Sequence, residues 1–83
     1  MSKYACPCCG YLTLDEEPGG SYDICPVCFW EDDYVQFQDP DYVGGANGVS
    51  LKQARANFAS FGASERRVIP FVRPPQLDEI PPI

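Results

Sequence analysis

Two cysteine pairs constrain this chain more than any other feature. Cys6 and Cys9 make one C-x2-C pair, Cys25 and Cys28 make another, and fifteen residues lie between them. That spacing falls in the range of a four-cysteine metal site. Two residues between thiols let one tight turn aim both sulfurs at a single ion about 2.3 Å away, and two such turns complete a tetrahedron. Pro7 and Pro26 follow the first cysteine of each pair and pre-set the turn's φ. Gly10 can take the positive φ that closes the first turn, and Phe29 occupies the matching place in the second. The expected metal ligands are therefore Cys6, Cys9, Cys25 and Cys28, and the expected ion is one Zn2+. Iron suits the same four thiolates, so the residues leave the two metals open. Availability and the closed shape of such a site favour zinc.

Other readings of the thiols fit less well. Five cysteines are an odd number, and Met1 to Pro7 shows no apolar stretch after its charge, so a secretory leader is not expected. A cytoplasmic location, where clustered thiols hold metal rather than form disulfides, is the better fit. A thioredoxin-like redox use of C-x-x-C needs a strand–helix context that these segments lack. Cys8 is left over. It either fills the free middle position of the first knuckle or serves as a fifth, reactive thiol. The chain has no histidine, which excludes imidazole bases, His-based triads and every metal site needing side-chain nitrogen.

Eighty-three residues make one domain, 1–83, with a modest core. Scaffolds of this size need a staple. Structural zinc supplies on the order of 10–16 kcal/mol of apparent binding energy in finger peptides near neutral pH. The N-terminal half is therefore expected to unfold without its ion. No run approaches the roughly 18 apolar residues of a membrane helix.

The expected fold is a small metal-stapled α+β unit. Tyr11 to Leu14 and Ser21 to Ile24 are short β-prone runs on either side of a Pro18-Gly19-Gly20 turn. Joined as a hairpin carrying the two knuckles, they give a zinc ribbon over residues 3–34. The aromatics Phe29, Trp30, Tyr34 and Phe37 are expected to shield the sulfurs. Glu31, Asp32, Asp33, Asp39 and Asp41 read as a solvated acidic face without calcium-loop spacing. Gly44 to Gly48 reads as a flexible loop without the lysine of a phosphate loop. Ser50-Leu51-Lys52-Gln53 reads as a capping box opening an amphipathic helix over 50–62. Leu51, Ala54, Phe58 and Phe61 form its apolar face, and Gly62 stops it. Four prolines dominate residues 74–83, which read as an extended tail that hugs the domain, frays or reaches a partner, with fraying or loose packing favoured.

Charge is divided unevenly. Residues 1–49 hold nine carboxylates and only Lys3, whereas residues 50–83 hold Lys52, Arg55, Arg66, Arg67 and Arg73 against three carboxylates. The formal net charge is −6.

The order Cys6-Pro7-Cys8-Cys9-Gly10-Tyr11, Cys25-Pro26-Val27-Cys28-Phe29-Trp30-Glu31-Asp32, Gly45-Ala46-Asn47, Ser50-Leu51, Ala54-Arg55 and Phe61-Gly62-Ala63 resembles the bacterial CPCC family of cysteine-rich proteins. The resemblance runs from about residue 4 to residue 75. It implies a zinc-ribbon-like protein of the bacterial cytosol, with no established activity to carry over. Cys8 belongs to the family motif.

Three functions compete. The first is an acidic module that docks a macromolecule, with a basic protein as partner; an immunity- or antitoxin-type inhibitor is one form, because an acidic face meets the residues a nuclease turns to phosphate. The second is a nucleic-acid-binding ribbon using the five C-terminal cations, which the overall charge disfavours. The third is iron-based electron transfer. Hydrolysis is not expected, since four thiolates close the coordination shell, so the chain is not read as an enzyme.

Overall fold

In the computed structural model, which describes residues 3–82, the chain folds around its cysteines. Strand β1 (Tyr4–Ala5) pairs antiparallel with β2 (Leu12–Leu14), and the Cys6–Gly10 turn lies at the tip of this hairpin. The second cysteine turn is clasped in the same way by a bridge between Ile24 and Glu31. Helix α1 (Tyr34–Gln38) follows, then a loop, then helix α2 (Leu51–Phe61). Two 3₁₀ segments, Arg66–Phe71 and Leu77–Glu79, complete the chain.

The pairing corrects the hairpin expected between Tyr11–Leu14 and Ser21–Ile24. Each cysteine turn folds the chain back on itself, so each knuckle closes its own hairpin and the two β-prone runs never pair with each other. Ser21–Ile24 instead lies beside Glu31 and Asp32, with the Tyr22 N–H donating to the Asp32 carbonyl (3.0 Å) and the Asp32 N–H to the Asp23 carbonyl (3.0 Å).

Helix α2 begins and ends as its sequence dictates. Ser50 accepts a hydrogen bond from the Gln53 N–H, and Gly62 takes the left-handed conformation at φ 80°. The expected capping box is only half made: the Gln53 side chain turns forward and donates to Asn57 Oδ1 at 2.8 Å. Leu51 and Ala54 are buried in the core, with Phe58 packed at its edge.

Three further expectations are overturned. Asp32 and Asp33 are not part of a solvated face but are buried. Asp32 accepts from the N–H groups of Gly19, Gly20 and Ser21 and from Ser21 Oγ (2.7 Å), and so organises the Pro18–Gly20 turn. Asp33 caps α1 through the Gln36 N–H and holds the Ala46 N–H. The Gly44–Gly48 loop is pinned rather than loose. Asn47 Oδ1 accepts from the Glu31 N–H (2.9 Å) and its Nδ2 donates to the Glu31 carbonyl (2.8 Å), as a neighbouring strand would. Buried Gln36 bridges the carbonyls of Tyr42 and Val49, and its Oε1 accepts from Asn47. A Cβ on Gly45 would lie 2.8 Å from that side chain, so only glycine fits there.

The tail is also docked. Arg73 and Glu79 make a two-bonded ion pair at 2.8 Å each, Glu79 Oε1 accepts from the Gln76 N–H, and the Leu77–Glu79 turn packs on β2. The Arg73 N–H donates to the Pro26 carbonyl of the second knuckle (3.2 Å). Ile83, part of the tail as read from sequence, lies outside the described residues, as do Met1 and Ser2.

Candidate metal centre

The two cysteine turns have the same internal geometry. The Gly10 N–H bonds back to the Cys6 carbonyl (2.8 Å), and the Phe29 N–H bonds back to the Cys25 carbonyl (2.7 Å). The residue after each pair has positive φ, Gly10 at 82° and Phe29 at 69°. This curl turns both sulfurs of a pair to the same side.

The turns face each other. The sulfurs of Cys6, Cys9, Cys25 and Cys28 all lie within 4.8 Å of one another. Cys6 Sγ is 3.6 Å from Cys28 Sγ, and Cys9 Sγ is 3.7 Å from Cys25 Sγ. A tetrahedron with metal–sulfur bonds of about 2.3 Å has edges of about 3.8 Å, so the donor set fits a four-thiolate ion. Iron and zinc share that bond length to thiolate closely enough that the spacing does not separate them. None of the five cysteines is in a disulfide.

The surroundings stabilise charge on sulfur. The backbone N–H of Cys8 donates to Cys6 Sγ and that of Trp30 to Cys28 Sγ, each at 3.4 Å, and the hydroxyl of Thr13 donates to Cys25 Sγ at 2.9 Å. The sulfurs also act strongly on one another. Hydrogen bonds from Cys28, Cys6 and Cys9 hold Cys25 far below the ordinary thiol range, with burial opposing and Thr13 assisting. The Cys25 sulfur in turn pushes Cys6, Cys9 and Cys28 above it. Four sulfurs so close hold one negative charge readily and resist further ones. A cation that binds all four removes that resistance, and binding releases the remaining protons.

The rest of the molecule secures the two turns. Arg55 on α2 donates from Nε to the Pro7 carbonyl (2.8 Å), and the Ser64 N–H donates to the Cys28 carbonyl (2.8 Å). With Arg73 on Pro26, three knuckle carbonyls are satisfied by residues between 55 and 73. Trp30 is fully buried beside Cys28, which agrees with shielding of the sulfurs, whereas Tyr34 is exposed on α1. Phe29 stacks on Phe71 with ring centroids 5.5 Å apart. Cys8 is buried in the middle of the first knuckle and outside the four-sulfur cluster.

The sequence pattern assigns Thr13 and Asn47 no role at the site and marks Arg55 only as a cation, whereas in the fold Thr13 meets Cys25, Asn47 holds Glu31 and Arg55 holds the Pro7 carbonyl. Thr13 stands in an alternating run where Leu12 and Leu14 mark the inner face, so its own burial has no local signal. Among the described residues no helix is long and apolar enough to cross a membrane.

No curated protein matches the chain. The family model for cysteine-rich CPCC proteins matches residues 4–79, from β1 through the docked tail turn. The chain therefore belongs to the cysteine-rich CPCC family.

Proposed function

We propose that this protein is a zinc-ribbon-type binding module in which Cys6, Cys9, Cys25 and Cys28 hold one Zn2+ and the folded surface docks a protein partner. The observation that carries the metal reading is the set of four sulfurs within 4.8 Å, spaced at 3.6 and 3.7 Å as tetrahedral edges. Thiolates supply all four coordination positions, so the ion's task is to fix the two knuckles rather than to activate water. Its loss removes the four metal–sulfur bonds that would join the two short hairpins at one centre, leaving the Thr13–Cys25 contact and the shared core.

Charge supports a basic partner. Asp15, Glu16, Glu17, Asp39 and Asp41 stand exposed on the N-terminal half, though Asp32 and Asp33 are spent on internal bonds. Most of the chain's cations are engaged at home: Arg55 on the Pro7 carbonyl, Arg66 over the Phe61 ring at 4.5 Å, Arg67 on Glu65 and Arg73 on Glu79. Arg67 and Arg73 are neutralised by Glu65 and Glu79, and the net charge of −6 opposes a phosphate backbone. A cytoplasmic setting suits open thiols, and inhibition of a basic protein is the form of binding that the charge favours.

Protein purified without a histidine tag under reducing conditions is expected to carry one zinc per chain by elemental analysis. Metal-free folded protein refutes the cage, and red material with visible absorption moves the assignment to iron. Capture from the native host is expected to recover a basic protein released by salt. Recovery of acidic or uncharged partners alone refutes the partner reading.

A further inference from the structure

The four sulfurs are not equivalent. Cys6, Cys25 and Cys28 are buried to 2% exposure or less, and each accepts a hydrogen bond from a neighbouring N–H or O–H. Cys9 differs on both counts. It is only partly buried, and among the described residues its sulfur has no N–H or O–H donor, only the contact with Cys25 Sγ at 3.7 Å.

Both differences act in one direction. A hydrogen bond to a thiolate draws electron density from sulfur and lowers its reactivity toward soft electrophiles, and burial blocks the line of approach. A metal-bound thiolate with no such hydrogen bond and with less burial than its three partners is the most nucleophilic and most accessible of its set. The knuckle geometry explains the pattern: the Cys8 N–H serves Cys6 and the Trp30 N–H serves Cys28, while Thr13 from β2 reaches Cys25 and no such side chain reaches Cys9.

We propose that Cys9 is a modification site, the sulfur at which soft carbon electrophiles attack the loaded cage and release its ion. The inference rests on the four-cysteine reading above. In the step, the Cys9 sulfur attacks an activated carbon, such as the methylene of a haloacetamide. A carbon–sulfur bond forms, the carbon–halogen bond breaks and halide leaves with its electron pair. The thioether left behind carries no charge and binds metal weakly, so the metal–sulfur bond breaks and three thiolates remain. This makes the ion's residence in the protein sensitive to electrophiles through one chosen atom.

The test treats metal-loaded protein with less than one equivalent of iodoacetamide. Ion release is followed with a chelating dye, and adducts are located by peptide mass spectrometry. Cys9 is expected to carry about tenfold more label than Cys6, Cys25 and Cys28 together, the rate equivalent of about 1.4 kcal/mol, or one hydrogen bond. Released ion should equal Cys9 adduct one for one. Cys8→Ser, which keeps all four proposed ligands, should release ion equally fast. First adducts on any of the three buried sulfurs, ion release with Cys9 unlabelled, or loss of release in Cys8→Ser each overturns the proposal. Metal content measured before the reagent is added separates the two readings. Metal-free protein refutes the cage and the proposal together, whereas loaded protein labelled elsewhere refutes the proposal alone.

Discussion

Phe29 holds the same left-handed backbone conformation in the second knuckle, φ 69°, that Gly10 holds in the first, φ 82°. A side chain in that region costs roughly 1–2 kcal/mol, and Phe29 recovers part of it by stacking on Phe71 at 5.5 Å. Phe29→Gly is therefore expected to be near neutral, because relief of strain offsets the lost ring contact. Phe29→Ala keeps the strain and loses the ring, so it should destabilise by about 1–2 kcal/mol. Gly10→Ala has open space around its new Cβ and should cost about 1 kcal/mol through backbone strain alone. Chemical denaturation of the loaded proteins checks this order, and Ala at position 29 matching or exceeding Gly contradicts it.

Removal of the ion is expected to unfold the N-terminal half. Trp30 is the sole tryptophan and lies fully buried against the cage, so its fluorescence should shift to the red on treatment with a strong chelator under reduction. Serine at any of positions 6, 9, 25 or 28 should give the same spectrum before chelation, while Cys8→Ser should keep the native one. An unshifted spectrum after complete metal loss contradicts the prediction.

Thr13 is a positioning residue for the cage through its 2.9 Å bond to Cys25 Sγ. Thr13→Val keeps the shape and removes the donor, and should weaken metal affinity about 10–100-fold in a competition titration. Thr13→Ser restores the hydroxyl and should recover most of the loss. Equal affinities in all three proteins contradict the role.

Asp32→Asn replaces the acceptor of four hydrogen bonds with a group that brings its own donors into their midst. The expected cost is about 2–3 kcal/mol, read from denaturation midpoints, although the residue touches no sulfur. A change below about 0.5 kcal/mol, the level of an ordinary surface substitution, contradicts it.

Acid should release the tail. The Arg73 guanidinium, with the Gln76 N–H assisting against burial, lowers the pKa of Glu79 from 4.5 to about 2. Burial raises that of Asp32, but its bonds from Gly19, Ser21 and Gly20 hold it below the ordinary value. A depressed folded-state pKa gives stability that is complete above the unfolded value and is lost as pH falls toward the folded one. Amide protection of residues 73–80 should therefore fall between about pH 4.5 and about pH 2. In Glu79→Gln that protection should be weaker at neutral pH, and a profile identical to that of the parent protein contradicts the assignment.

The sequence by itself determined the features whose causes are local. Two C-x2-C turns, each with its proline and its positive-φ partner, bring paired sulfurs to one side whatever surrounds them. Ser50 and Gly62 bound α2 through bonds spanning four residues or fewer. What the tertiary structure decided needed partners far along the chain. The strand that pairs with Leu12–Leu14 is Tyr4–Ala5 because the knuckle folds the chain back, whereas pattern alone pointed to Ser21–Ile24. Asp32 and Asp33 look like surface carboxylates until the Gly19–Ser21 and Ala46 amides are placed against them. The prolines of the tail suggested loose chain, and the meeting of Arg73 with Glu79 and the Pro26 carbonyl, with the Leu77–Glu79 turn against β2, fastens it. Periodicity and spacing carry information about the backbone near a residue. Whether a buried polar group is satisfied depends on donors and acceptors that arrive from elsewhere, and only the folded chain shows which ones do.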